Sequence, residues 1–397
     1  MSATPVVRAV PAVPASVAPS AVVYALQFTA VGVWVAYATI YFRSLGIDLA
    51  TIGILAAVPS AVAIVGAPAW GLVADRLGDM RPPYLAAALW AAVAALVLAL
   101  GPAMPWLAVV VVGIALGTSG LTPLLDARTV QRLWPDRERF GQARVWGSIS
   151  FMVCTVAVGI MIGVTGLRSI WIVYAAALAA AGAAAYLLLG RPSRELRVGG
   201  IGPRAALGLL RDPSLGLFFV GSTVAWMSSS GALTLFSLRI VDLGGGTELV
   251  GIGWAVSAMF EVPLMLAFRR IAQQVRVERL IVTGLAIFAL RTALWALAAS
   301  PLVFIAVAAL NGIGFALVLV GTTAYVASRV PTSLQATAQA LFSSTPFAIG
   351  AILGAVIAGQ VAAVGGIGAV YPVAAVGATL GAALVWLAIA RRSGPAS

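Results

Sequence analysis

The chain has 397 residues, of which 62% are hydrophobic and 9% charged. Soluble domains carry about 25% charged residues. With a mean hydropathy of +1.06, this chain has too little polar surface for a water-soluble globule and reads as a polytopic membrane protein. Its net charge of +12 comes from Arg alone, since no Lys or His is present. The absent His and the single Cys, Cys154, exclude an intramolecular disulfide and most metal or nucleophile chemistry.

In chain order, residues 1–20 carry Pro at 5, 11, 14 and 19. These break any apolar run of signal-peptide type and predict a disordered cytoplasmic tail. Six stretches long enough to cross a bilayer follow, at 21–42, 51–73, 83–101, 105–126, 143–164 and 169–190. A polar linker, 191–213, precedes six more at 214–240, 248–270, 279–298, 301–324, 334–361 and 369–390. A short second tail closes the chain at 392–397. Pro, Gly and charge mark the breaks rather than periodicity, because a helix in lipid is apolar nearly all round. The expectation is an all-α membrane protein of 12 transmembrane helices in two six-helix halves, 21–190 and 214–391. Two such halves joined by a linker suggest parallel repeats, with a site near the midplane between them.

With both termini inside, all but four of the 24 Arg residues fall on cytoplasmic segments. Arg43, Arg168 and Arg239 lie on the opposite side and Arg291 lies inside a span. This asymmetry predicts an N-in, C-in topology. It also excludes nucleic acid as a partner, because the cations are spread over many short loops. Without Lys there is no phosphate-binding loop for ATP, and the acids form no catalytic cluster.

The loop after the second span runs from Gly71 through Asp75, Arg76 and Gly78 to Arg81. It resembles the G-x-x-x-D-[RK]-x-G-x-x-[RK] signature of the major facilitator superfamily, which sits at this same loop. The equivalent loop of the second half, near Arg269–Arg276, lacks the Asp and the Gly pair. Phe140-Gly141-Gln142-Ala143-Arg144 opening span five, Glu261 and Pro263 in span eight, Arg291 in span nine and Ala336–Gln339 opening span eleven narrow the resemblance. Together they look like the proton-coupled sugar, nucleoside and phenylpropionate permeases, the lactose permease branch. The fold implied is the major facilitator fold, and no cofactor is implied.

That resemblance implies that Asp126 and Arg144 bind the solute, that Phe151 stacks on it, and that Glu261 serves both solute and proton. Arg291 would assist deprotonation, and Gly71, Asp75, Arg76, Gly78 and Arg81 would form a conformational gate. In span ten the branch has His and an acid where this chain has Asn311 and Gly314. Proton coupling would then rest on Glu261 or Asp126, or be absent.

Read physically, a charge at mid-bilayer is expensive and calls for a partner. Glu261 and Arg291, on adjacent antiparallel spans, are expected to form an ion pair that changes as the carrier works; a static pair that only fixes packing is the bland alternative. Gln27, Trp34 and Tyr41 repeat every seven residues along one face and are candidates for lining a sugar or aromatic cavity. Ser228 to Ser230 and Asn311 are candidate cavity donors, or glue between helices. The Gly113/Gly117, Gly159/Gly163 and Gly350/Gly354 pairs predict packing within the chain.

The expected function is secondary transport of a small organic solute, a sugar, nucleoside or aromatic acid, across the inner membrane by alternating access, as a proton-coupled symporter acting as a monomer. The alternatives are a drug or metabolite exporter of the same fold and a non-transporting membrane sensor.

Overall fold

A computed structural model describes residues 16–133, 136, 139–191, 213–329 and 343–393. Most of the expected tails 1–20 and 392–397, nearly all of the linker 191–213, and the Ala336–Gln339 segment lie outside the described residues.

The first set of helices is α1 (Ala18–Ser44), α2 (Leu49–Leu77), α3 (Arg81–Ala99), α4 (Trp106–Ser119), α5 (Leu121–Arg132), α6 (Phe140–Thr165) and α7 (Ser169–Leu188). The second is α8 (Pro213–Thr234), α9 (Phe236–Asp242), α10 (Thr247–Gln274), α11 (Val277–Leu297), α12 (Pro301–Arg329), a π-helical turn Ser343–Ile349, α13 (Gly350–Gly365) and α14 (Val370–Ser393). Among the described residues, eleven spans have the length and composition to cross a membrane, counting α4 with α5, and the bent pair α8–α9 makes up a twelfth.

Local chemistry sets the helix ends. Asp48 caps α2, its carboxylate accepting from the Thr51 N–H at 2.9 Å and the Thr51 hydroxyl at 2.7 Å. Gly78 ends α2 with φ +62°, a left-handed conformation that suits glycine. Large apolar side chains such as Val164 and Leu187 stand exposed on the outer surface, where acyl chains rather than water cover them.

Two expected continuous spans are broken. Span four divides at Gly120, where an added Cβ would lie 2.5 Å from the Trp70 side chain. Nearby, the Leu116 carbonyl accepts from the Trp70 indole and the Ser119 hydroxyl, both at 2.8 Å. Span seven bends by 44° between α8 and α9. Side chains rather than the helical ladder serve backbone near the first break, as the bilayer requires.

Within the first set α1 packs on α6 and α7, α3 on α4 and α7, and α2 on α4. Within the second α8 packs on α13 and α14, α12 on α10 and α11, and α11 on α14. Two principal seams join the sets, α2 with α13 and α6 with α10. Glycine allows both. A Cβ on Gly53 would lie 2.8 Å from the Gly359 Cα, and one on Gly159 would lie 2.5 Å from the Thr247 carbonyl. The Tyr37 hydroxyl donates to the Thr155 carbonyl on α6 and, at 3.4 Å, to that of Thr247 on α10. The Thr247 hydroxyl donates to the Gly159 carbonyl at 2.8 Å.

These contacts occupy the Arg-poor part of the bundle. Towards the Arg-rich end the sets separate: Gly71 and Gly141 face open space and Asp75 and Arg76 are exposed. Gly71 thus makes no close helix contact among the described residues, whose two sets are parted at that end. The other glycine pairs do pack within the chain, Gly117 on Ala87 and Ala91, and Gly354 on Met227 and Gly231; Gly163 is the exception, facing open space.

Candidate functional site

Arg144 sits in the second turn of α6. Its guanidinium carbon lies 4.0 Å from the Phe28 ring centre and 5.6 Å from that of Tyr24, both on α1. Gly147 keeps this stack close, since a Cβ there would lie 3.0 Å from Phe28 and 3.1 Å from Arg144 Nη1. The Tyr24 hydroxyl donates to Asp126 Oδ1 at 2.5 Å, and Phe140 meets the Tyr24 ring edge-on at 6.3 Å. Glu261 comes from α10 of the other set, and Gly312 lets α12 lie against the α10 backbone at Ser257 and Glu261.

Arg144 is within electrostatic reach of both Asp126 and Glu261, and no ion pair joins them among the described residues. One cation thus lies within electrostatic reach of two carboxylates, Asp126 on α5 and Glu261 on α10. With both acids ionised the group carries a net charge of −1, and one proton makes it neutral. The resemblance named all three residues, and the fold brings them together.

Glu261 and Arg291 do not form the expected pair. Arg291 is fully buried and its guanidinium donates to the Asn311 carbonyl oxygen and, at 3.0 Å, to the Ser229 hydroxyl. Its guanidinium carbon lies 4.5 Å from the Trp295 ring centre and 4.9 Å from that of Phe288. Asn311 in turn donates to the Ser257 hydroxyl at 2.7 Å, one turn before Glu261 on α10. Neutral dipoles and aromatic faces therefore disperse the charge where a carboxylate was expected. Asn311 and Ser229 thereby join α8, α10, α11 and α12.

Gln27 and Trp34 do line a cavity, of about 110 Å³, between α1, α2, α4, α5 and α7. Gln27 Nε2 donates to the Thr122 hydroxyl at 2.6 Å and Gln27 Oε1 accepts from Tyr84 at 2.8 Å. Tyr41 departs from the expected face. It donates to the Leu98 carbonyl and packs edge-on against Trp171, with ring centres 5.2 Å apart. Phe151 meets Trp254 of the other set edge-on at 6.4 Å, so its ring belongs to the contact between halves.

In the gate segment Asp79 and Arg81 form an ion pair at 2.7 Å, with Arg81 lying 5.6 Å from the Tyr186 ring centre. Hydrogen bonds from Arg81 hold the Asp79 carboxyl below the usual aspartate range. Close by, Arg128 donates to the carbonyls of Leu189, Gly190 and Arg191, at 2.8 to 2.9 Å. This closes the C-terminus of α7, where cations are favoured.

Tyr24, Phe28, Thr122, Trp254 and Ser257 escaped the sequence reading. Tyr24 and Phe28 carried a signal, since they sit one turn apart on α1 beside Gln27 and Val31. Ser257 is one turn from Glu261 on α10. Nothing local marked Trp254, whose neighbour Phe151 comes from the other half.

A profile of the MFS_1 like family matches residues 20–372. The maltose permease of Geobacillus stearothermophilus is 27% identical over 375 residues, 93% of each chain. Among solved structures, the nucleoside transporter NupG superposes with a TM-score of 0.81 at 18% identity, covering 94% of this chain and 98% of its own. A bacterial homolog of the human lysosomal transporter Spinster, inward-facing and occupied, gives 0.71 at 16% identity, covering 94% and 96%.

Proposed function

The chain belongs to the MFS_1 like family of the major facilitator superfamily, a multi-pass membrane transporter and not an enzyme, and on that premise we propose that it carries a small hydroxylated solute, a sugar or nucleoside, together with a proton. The named relatives, a maltose permease and a nucleoside transporter, support this solute class. The observation that carries the reading is Arg144, stacked on Phe28 and within electrostatic reach of Asp126 and Glu261, one acid from each half.

The guanidinium offers a planar fork of donors to neighbouring hydroxyls, and the carboxylates accept from the same solute. Phe28 holds the fork in place beneath it. Asp126 already accepts from Tyr24. Glu261 has no hydrogen bond among the described residues and is the proton carrier in this reading. Without a proton the three groups keep a net negative charge that opposes closing the site away from water. A proton on Glu261 removes that charge, so solute and proton cross together.

The Arg-rich end faces the cytoplasm of a bacterial inner membrane, so the state described here is open inwards. Alternation would close that end over the Gly71–Arg81 segment, the proposed gate. One copy of the chain suffices. Reconstituted protein tests the reading. Glu261→Gln should exchange labelled solute across the vesicle wall yet fail to accumulate it under an imposed pH gradient. Unchanged accumulation would remove Glu261 from the coupling. Solute binding insensitive to Arg144→Ala would remove the site itself.

A further inference from the structure

The Arg144 level accounts for one part of the site, and the cavity lined by Gln27 and Trp34 lies beyond it. On α1, Gln27 is three residues after Tyr24, and on α5, Thr122 is four residues before Asp126. Both steps lead away from the Arg-rich end and amount to about 5 Å at 1.5 Å per residue. The cavity thus lies about one helical turn from the charged level, towards the Arg-poor end.

The cavity has its own chemistry. The Gln27 amide is held by Thr122 and Tyr84. The remaining lining is mostly apolar and includes Trp34, Ile114, Leu121 and Leu178. Trp34 is held by Trp171 and Tyr174, with ring centres 5.8 and 6.2 Å away. At about 110 Å³ the space is smaller than the roughly 150 Å³ apolar cavity that admits benzene. A second sugar ring would bring hydroxyls that these walls leave unpaired.

We propose that this cavity is a second subsite that takes a compact apolar group of the solute, no larger than a single ring, while Arg144 and the two acids hold its hydroxylated part. The substrate class is then an amphiphilic glycoside or nucleoside rather than a free sugar or a disaccharide. This inference rests on the reading of Arg144, Asp126 and Glu261 given above.

The test measures binding of methyl, isopropyl, phenyl and naphthyl β-glucosides, and of the matching β-ribosides, to the purified full chain. Affinity should rise about tenfold from methyl to the best of isopropyl and phenyl, then fall for naphthyl, which exceeds the space. Ala115→Leu, which fills the cavity, should abolish that gain. Leu178→Ala, which enlarges it, should shift the optimum to naphthyl, and it serves as the independent check if Ala115→Leu fails to fold. A flat series in which the methyl compound binds would overturn the subsite and leave the hydroxylated-solute reading standing. Gains that persist in both variants would likewise overturn it. Failure of every glucoside and riboside to bind would overturn the reading on which it rests.

Discussion

Arg144 and Arg291 are the same residue type at membrane depth, and the molecule treats them in opposite ways. Arg144 is half-buried, stacked on Phe28 and within electrostatic reach of two carboxylates. Arg291 is sealed inside one half, where Asn311, Ser229 and two aromatic rings surround it without any acid. The difference teaches that a buried charge marks a working site only where it can change partners. A guanidinium closed in by neutral dipoles has one set of partners, whereas one within reach of acids from two halves has two carboxylates to choose between.

The largest effect should separate stability from binding. Asn311→Leu leaves the Arg291 guanidinium short of its acceptor and should lower stability by about 3 kcal/mol. Arg291→Met combined with Asn311→Leu should recover most of that loss, because an apolar pair replaces a buried polar one. Thermal unfolding in detergent measures both, and a double variant as weak as the single one would break the contrast.

Next comes the seam that keeps Arg144 accessible from one end. Gly359→Trp overpacks the contact with Gly53 at a cost of about 1–3 kcal/mol, shifting the balance between the two open ends by about 5- to 150-fold. Spin labels at the exposed Arg43 and Asp242, in a Cys154→Ala background, should report that the Arg-poor end opens while the surroundings of Arg291 keep their stability. Arg144→Lys removes the planar fork and its stack on Phe28. Solute affinity should fall about tenfold, with stability held within about 0.5 kcal/mol. A stability loss matching that of Asn311→Leu would place Arg144 with Arg291 as a scaffold residue.

The smallest effect belongs to the partly exposed pair Asp79–Arg81. Its contribution should be under about 1 kcal/mol and should weaken in salt. Because the folded Asp79 carboxyl is held below its ordinary value, the contribution is present above pH about 3.9. It disappears as the pH falls through the lowered value. The stability difference between wild type and Asp79→Asn should close over that interval.

Much of the fold was legible because it is local. Apolar runs of bilayer length place the spans, and the helix ends at Asp48 and Gly78 follow from single residues. The breaks at Gly120 and near Leu235 were not placed, since both fall inside runs of bilayer length and Trp70, packed against Gly120, comes from another helix. In the site, Asp126, Arg144 and Glu261 were named by motif, but Tyr24, Phe28 and Ser257 emerged only from packing.

The sequence by itself determined the membrane-spanning, all-helical class, the approximate spans, the uneven distribution of Arg and the family signature around Asp75. These follow from composition and from residues close along the chain. Tertiary structure alone decided that Arg291 meets Asn311 rather than Glu261, that Arg144 comes within electrostatic reach of acids from two halves, and that Gly53 touches Gly359 while Gly71 faces open space among the described residues. The physical reason is that a helix apolar on every side carries little periodic record of which face meets which neighbour, so the pairing of charges waits on how the helices rotate and pack.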